Sequence, residues 1–126
     1  MPNSPSPAAP CILVLEEDQE LGSALRFSLA LEGYRVETFD APSTFLERLP
    51  SAPFDAVIVG QAAPAIDAFD MLEPLRRRAP DAPIVLTATN PTRALRRRAR
   101  QQHLVLIEKP LLGDGLVEAL KTALSG

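Results

Sequence analysis

The 126-residue chain has no tryptophan, one tyrosine, one histidine and one cysteine. A lone cysteine cannot close an internal disulfide, so Cys11 reads as a packed core thiol and no oxidising compartment is implied. A single imidazole, His103, with no second imidazole or thiol to join it, makes no metal site and reads as a structural or surface residue. Long apolar runs are missing too. Cys11 to Leu15 and Leu104 to Ile107 are strand-sized, far below the roughly 20 residues that span a bilayer, so no membrane contact and a cytoplasmic location are expected. The opening MPNSPSPAAP has four prolines and no basic cluster, and it reads as a disordered tail over residues 1–10 rather than a signal peptide.

What remains suits one globular domain over residues 11–126, with 46% hydrophobic composition and length enough for a core. The net charge of -3 conceals an asymmetry: residues 1–75 carry 12 acids and 3 bases, residues 76–126 carry 10 bases and 4 acids. Each half can attract the other, or a partner.

Five short apolar runs alternate with stretches of helical period. CILVL precedes Leu21 to Leu31, YRVETF precedes Thr44 to Leu49, FDAVIV precedes Met71 to Arg78, PIVLT precedes Thr92 to Gln101, and HLVLI precedes Leu116 to Leu124. Five such βα units predict an α/β fold, a doubly wound parallel sheet with helices on both faces. Runs one, three, four and five are near-continuously apolar and suit burial on both sides, whereas YRVETF alternates and suits an edge. That asymmetry favours the flavodoxin-like (βα)5 strand order 2-1-3-4-5. Asp18 can cap the first helix, Gly33 can stop it in a left-handed conformation, and Asn90-Pro91 reads as an N-cap followed by a first-turn proline. Pro74 would break the third helix if internal, so that helix is expected to start late, near Asp70, or to bend.

Ligands of such sheets sit beyond the carboxyl ends of the strands. There the order gathers Glu16 and Glu17 after strand one, Gly60 closing strand three, Thr87 on strand four and Lys109 on strand five. Two carboxylates, a hydroxyl and an ammonium would suit Mg²⁺ and a phosphoryl group, but a glycine supplies no attacking oxygen. The chain resembles the receiver (CheY-like) domain of two-component response regulators over residues 11–125. The residues that carry the likeness are Leu15-Glu16-Glu17-Asp18, the stretch DAVIVGQAAPAIDA, Thr87-Ala88 and Lys109-Pro110. The resemblance implies a phosphoacceptor aspartate at the position held by Gly60, a switch threonine at Thr87 and an aromatic switch residue at the position held by Leu106.

These departures imply a degenerate receiver without aspartyl phosphorylation. Asp55 lies five residues upstream, roughly 16 Å away along the strand, and Asp67 reads as a solvated or capping residue. Glu16 and Glu17 are weak metal candidates because each is a methylene longer than aspartate and the third carboxylate is gone, so neither a cofactor nor tight Mg²⁺ binding is expected. Two outcomes stand for the cluster. Lys109 pairs with Glu16 or Glu17, or one glutamate also lays its carboxylate in the space beside Gly60 and fixes both Lys109 and Thr87.

The stretch NPTRALRRRARQQ puts Arg93, Arg96, Arg97 and Arg100 on one helix side, with Leu95 and Ala99 as its buried stripe. It reads as a solvated face balanced by the acidic half or as a contact surface; the resemblance implies that helix 4, strand 5 and helix 5 would meet a signalling protein or a second protomer, as in a homodimer. Negative net charge and scarce aromatics argue against nucleic acid, which stays as an alternative. A small-ligand-binding flavodoxin-like protein is the other alternative, although acidic EEDQELG would repel phosphate. The expected function is an atypical, stand-alone receiver in phosphorelay signalling, not an enzyme, whose output acts in trans.

Overall fold

A computed structural model describes residues 8–111 and 114–125. The expected tail therefore lies, for residues 1–7, outside the described residues. Ala9 and Pro10 are tied to the domain: their carbonyls accept from Arg35 Nε and Arg35 N, each at 2.9 Å.

Five strands, β1 (Cys11–Leu15), β2 (Arg35–Phe39), β3 (Ala56–Gly60), β4 (Ile84–Thr89) and β5 (Val105–Lys109), form one parallel sheet. Their order is β2-β1-β3-β4-β5, as the patterning predicts. The helices are α1 (Gln19–Leu31), α2 (Pro42–Arg48), α3 (Leu72–Arg78), α4 (Arg93–Gln101) and α5 (Gly115–Ser125).

Side chains alternate across the sheet, and two cores follow. Ile12, Val14, Ile58 and Val85 pack with Leu25 and Leu29 of α1 and Leu116 and Leu120 of α5. Leu13, Leu15, Val57, Val59 and Leu86 pack with Phe45, Leu72, Leu75 and Ala99 from α2, α3 and α4. The three central strands are apolar on both faces because both faces are covered.

Local chemistry sets the helix ends. Asp18 Oδ1 accepts from Glu20 N and Leu21 N at 3.0 and 3.2 Å, capping α1. Gly33, at φ 96°, turns the chain out of that helix. Asp67 caps a 3-10 turn, Ala68–Met71, and α3 begins only at Leu72, so Pro74 falls in its first turn, where the missing N–H leaves no bond unmade.

Two expectations need correction. Thr92, not Asn90, caps α4: Thr92 Oγ1 accepts from Leu95 N at 3.0 Å, while Asn90 sits at φ 46° in the loop before it. Strand five is apolar but not covered on both sides. It is the second sheet edge, and Val105 is 37% exposed.

Candidate functional site

Strand parity aims Glu16, Gly60, Thr87 and Lys109 at one place. Val14, Ile58, Val85 and Ile107 belong to the α1/α5 face. Each cluster residue lies two positions after one of these, so all four share that face at the carboxyl end of the sheet.

Glu16 is the centre of this cluster. It is 4% exposed, and its Oε1 accepts from Lys109 Nζ at 2.7 Å. Its Oε2 accepts from the backbone N–H of Asp18 at 3.1 Å. A Cβ placed on Gly60 would lie 2.3 Å from Glu16 Oε1, well inside contact distance. The carboxylate thus occupies the room that any side chain at position 60 would need. This matches the second of the two outcomes left open by the sequence, with one difference. Thr87 is 1% exposed, and its Oγ1 has no hydrogen-bond partner among the described residues, so the carboxylate fixes Lys109 but does not bond the threonine.

Glu17 is exposed, and among the described residues no hydrogen bond or ion pair ties it to the cluster. The expected pair of acids is split: β1 points the first inward and the turn into α1 leaves the second outside. Asp55 stands at the far end of the sheet, where its Oδ2 accepts from Cys11 N at 2.8 Å. Asp67 accepts from Phe69 N and from Gln61 Nε2, each at 3.1 Å, and Gln61 Oε1 accepts from Ala68 N at 2.9 Å. Gln61 thereby holds the loop that follows Gly60. Sequence reasoning missed this brace and the Asp18 amide, because neither a glutamine side chain nor a backbone N–H stands out by residue type.

A family model described as the response regulator receiver domain matches residues 12–121. The chain belongs to that family. QseB of Haemophilus influenzae, a transcriptional regulatory protein, is 31% identical over 81 residues, covering 64% of this chain and 37% of QseB. DctD of Pseudomonas aeruginosa, a C4-dicarboxylate transport transcriptional regulatory protein, is 29% identical over 98% of this chain and 27% of its own length. The chain thus spans about a third of the length of the curated relatives it matches. The non-phosphorylated HemR receiver domain of Leptospira biflexa superposes with a TM-score of 0.83 at 25% identity, over 93% of this chain and 95% of that one.

On this receiver domain the arginine-rich helix is only partly free. Arg93, Arg96, Arg97 and Arg100 are all exposed. Arg96 Nη2 donates to Glu108 Oε1 of β5 at 2.7 Å, and the Arg98 guanidinium lies 4.0 Å above the Phe69 ring. Arg76 donates to the carbonyl of Gln102 and, at 3.0 Å, to its side-chain oxygen, tying α3 to the end of α4. Arg76, Arg77 and Arg78 all lie in the last turn of α3, where the helix dipole favours cations. Leu106 is half-buried against the α2/α3/α4 core, and His103 is exposed at φ 60° in the turn before β5. No helix of the described residues is long and apolar enough to cross a membrane.

Glu16 also lines a 410 Å³ cleft together with Gln19, Ser23, Thr38, Asp40 and neighbouring residues. Its charged groups are carboxylates and no base lines it, so it is not a phosphate cradle.

Proposed function

We propose that this receiver domain signals by protein contact in a two-component pathway, in the cytoplasm, without carrying an aspartyl phosphate and without catalysing a reaction. A receiver that stores its signal covalently needs a carboxylate oxygen to attack phosphorus. Gly60 offers none at the end of β3, and Asp55 and Asp67 are committed elsewhere. The observation that carries the reading is the 2.3 Å approach of Glu16 Oε1 to the place of a Gly60 Cβ, with Lys109 holding that oxygen.

The same arrangement argues against Mg²⁺. Both oxygens of Glu16 are engaged, Glu17 is exposed outside the cluster, and the described residues hold no group of three or more metal-ligating side chains. Octahedral coordination needs several oxygens converging at about 2.0–2.1 Å. The donors here do not fit that ion.

The surface we assign to a signalling partner or a second protomer runs over α4 and β5 toward α5, with Arg93, Arg97 and Arg100 as its exposed, uncommitted cations. Engagement of Arg96 and Arg98 within the domain disfavours a continuous phosphate-binding stripe, which nucleic acid would require.

Incubation with acetyl phosphate, or with beryllofluoride and Mg²⁺, tests the reading. Intact-mass spectra and NMR spectra of the wild type are expected to stay unchanged. A phosphoryl adduct on any acid of the wild type would overturn it.

A further inference from the structure

We infer that the Glu16 carboxylate has two seats, one on the Asp18 amide and one on the Thr87 hydroxyl, with Lys109 as the pivot common to both. The inference rests on the reading in which Gly60 leaves the acceptor position without a side chain. Thr87 supplies the reason for a second seat. Its hydroxyl is buried to 1% exposure and has no partner among the described residues, and a buried hydroxyl left unpaired bears its full desolvation cost. Native structures seldom leave such a cost unrelieved when an acceptor is within reach.

Glu16 is within reach. Gly60 and Thr87 are register partners on β3 and β4, neighbouring strands lie about 4.8 Å apart, and both residues direct their Cβ positions to the α1/α5 face. Because Glu16 Oε1 already stands 2.3 Å from the Gly60 Cβ position, a shift of the whole carboxylate about the inner torsions of Glu16, with the flexible Lys109 stem following Oε1, carries the group toward Thr87. A side chain at position 60 would block that path, and glycine leaves it open.

Oε1 keeps its 2.7 Å bond to Lys109, and Oε2 gives up only the 3.1 Å bond from Asp18 N. Asp18 is exposed, so water takes over its amide when the carboxylate leaves. Thr87, in contrast, is 1% exposed and gains a bond that its hydroxyl lacks among the described residues.

The second seat reaches the arginine surface. Thr87 precedes the end of β4 by two residues, and the loop from Asn90 to Thr92 leads directly into α4. Glu108, beside the pivot Lys109, holds Arg96 of α4. A carboxylate bonded across β4 and β5 therefore biases the frame on which α4 sits.

Nitrogen-15 relaxation dispersion on the whole chain, without any phosphodonor, tests the two seats. Exchange broadening is expected at the Asp18 amide in the wild type and in Thr87→Ser, which keeps the hydroxyl, and is expected to vanish in the isosteric Thr87→Val. The urea midpoint of Thr87→Val is expected below that of the wild type, since a partnered hydroxyl is lost. A flat Asp18 profile in the wild type, undiminished exchange in Thr87→Val, or a raised midpoint in that variant overturns the inference. Phosphoryl uptake is measured separately, so an adduct would defeat the proposed function without mimicking any of these results.

Discussion

The two ends of the sheet each set an acid against a base, yet they settle it differently. At the amino end Arg48 grips Glu37 with two bonds, Nε to Oε1 at 2.7 Å and Nη2 to Oε2 at 2.9 Å, and its Nη1 donates to the carbonyl of Ala52 at 2.8 Å. Beside them the Cys11 thiol is pushed up, first by burial and then by Glu37, so it stays protonated and inert. Every polar partner there is satisfied. At the carboxyl end Glu16 and Lys109 meet through a single oxygen, deeper in the protein, next to a threonine hydroxyl with no partner. A planar fork fixes geometry, whereas a point charge on a flexible stem leaves freedom. The amino end is built to hold β1, β2 and α2 together, and the carboxyl end keeps one buried hydroxyl without a partner among the described residues.

Breaking the carboxyl-end pair has the largest expected effect. Lys109→Met leaves the Glu16 carboxylate buried without its counter-ion, and losing one partner of a buried pair costs about 3–5 kcal/mol. Urea unfolding of the variant measures it. Restoration of most of that loss by adding Glu16→Met would identify the unpaired charge as the cause, because well-packed apolar replacements of a buried pair are often neutral. Full stability in Lys109→Met alone would show that the pair is open to solvent, contrary to its 4% and 19% side-chain exposure.

Filling the space beside Gly60 comes next. Gly60→Ala brings a methyl to 2.3 Å from Glu16 Oε1, and the carboxylate must leave Lys109 or force the strand aside. Overpacking of this kind costs about 1–3 kcal/mol. In a Glu16→Ala background the same substitution is expected to be nearly free, so a double-mutant cycle isolates the clash. Additive effects would place the carboxylate elsewhere.

These two expectations also mark what the sequence could disclose. Apolar runs with a 2-residue alternation and helices with caps and a left-handed glycine act locally, so strand order and both faces of the sheet were legible. Glu16, Thr87 and Lys109 were legible as residues, because strand ends in a parallel sheet must converge. Which glutamate turns inward was not, since Glu16 and Glu17 are identical in type and separated only by the twist at the end of β1. The isolation of Thr87 was equally hidden: it depends on where one carboxylate torsion comes to rest. The cap of α4 was misjudged because Asn90-Pro91 and Thr92 both carry helix-start chemistry, and the left-handed turn at Asn90 moved the start two residues on.

The smallest expected effect belongs to the amino end and depends on pH. Hydrogen bonds from Arg48, its largest cause, hold the Glu37 carboxyl below its ordinary value of 4.5, against a smaller opposing effect of burial. A carboxyl whose folded value lies below its unfolded one binds its proton more readily in the unfolded chain. Its contribution to stability is therefore fully present above about pH 4.5 and disappears as pH falls through the lower, folded value. Glu37→Gln, followed by urea unfolding from neutral pH down to pH 3, reads this directly: the stability gap to the wild type should be constant above the window and shrink within it. The Glu37 side chain is 43% exposed, so solvent screening limits the gap to about 1 kcal/mol or less. Salt should narrow it further, whereas the buried Glu16–Lys109 pair should respond little to salt. Equal salt sensitivity at the two ends would remove the distinction between a fixed, solvent-facing clamp and a buried network with a partner still to find.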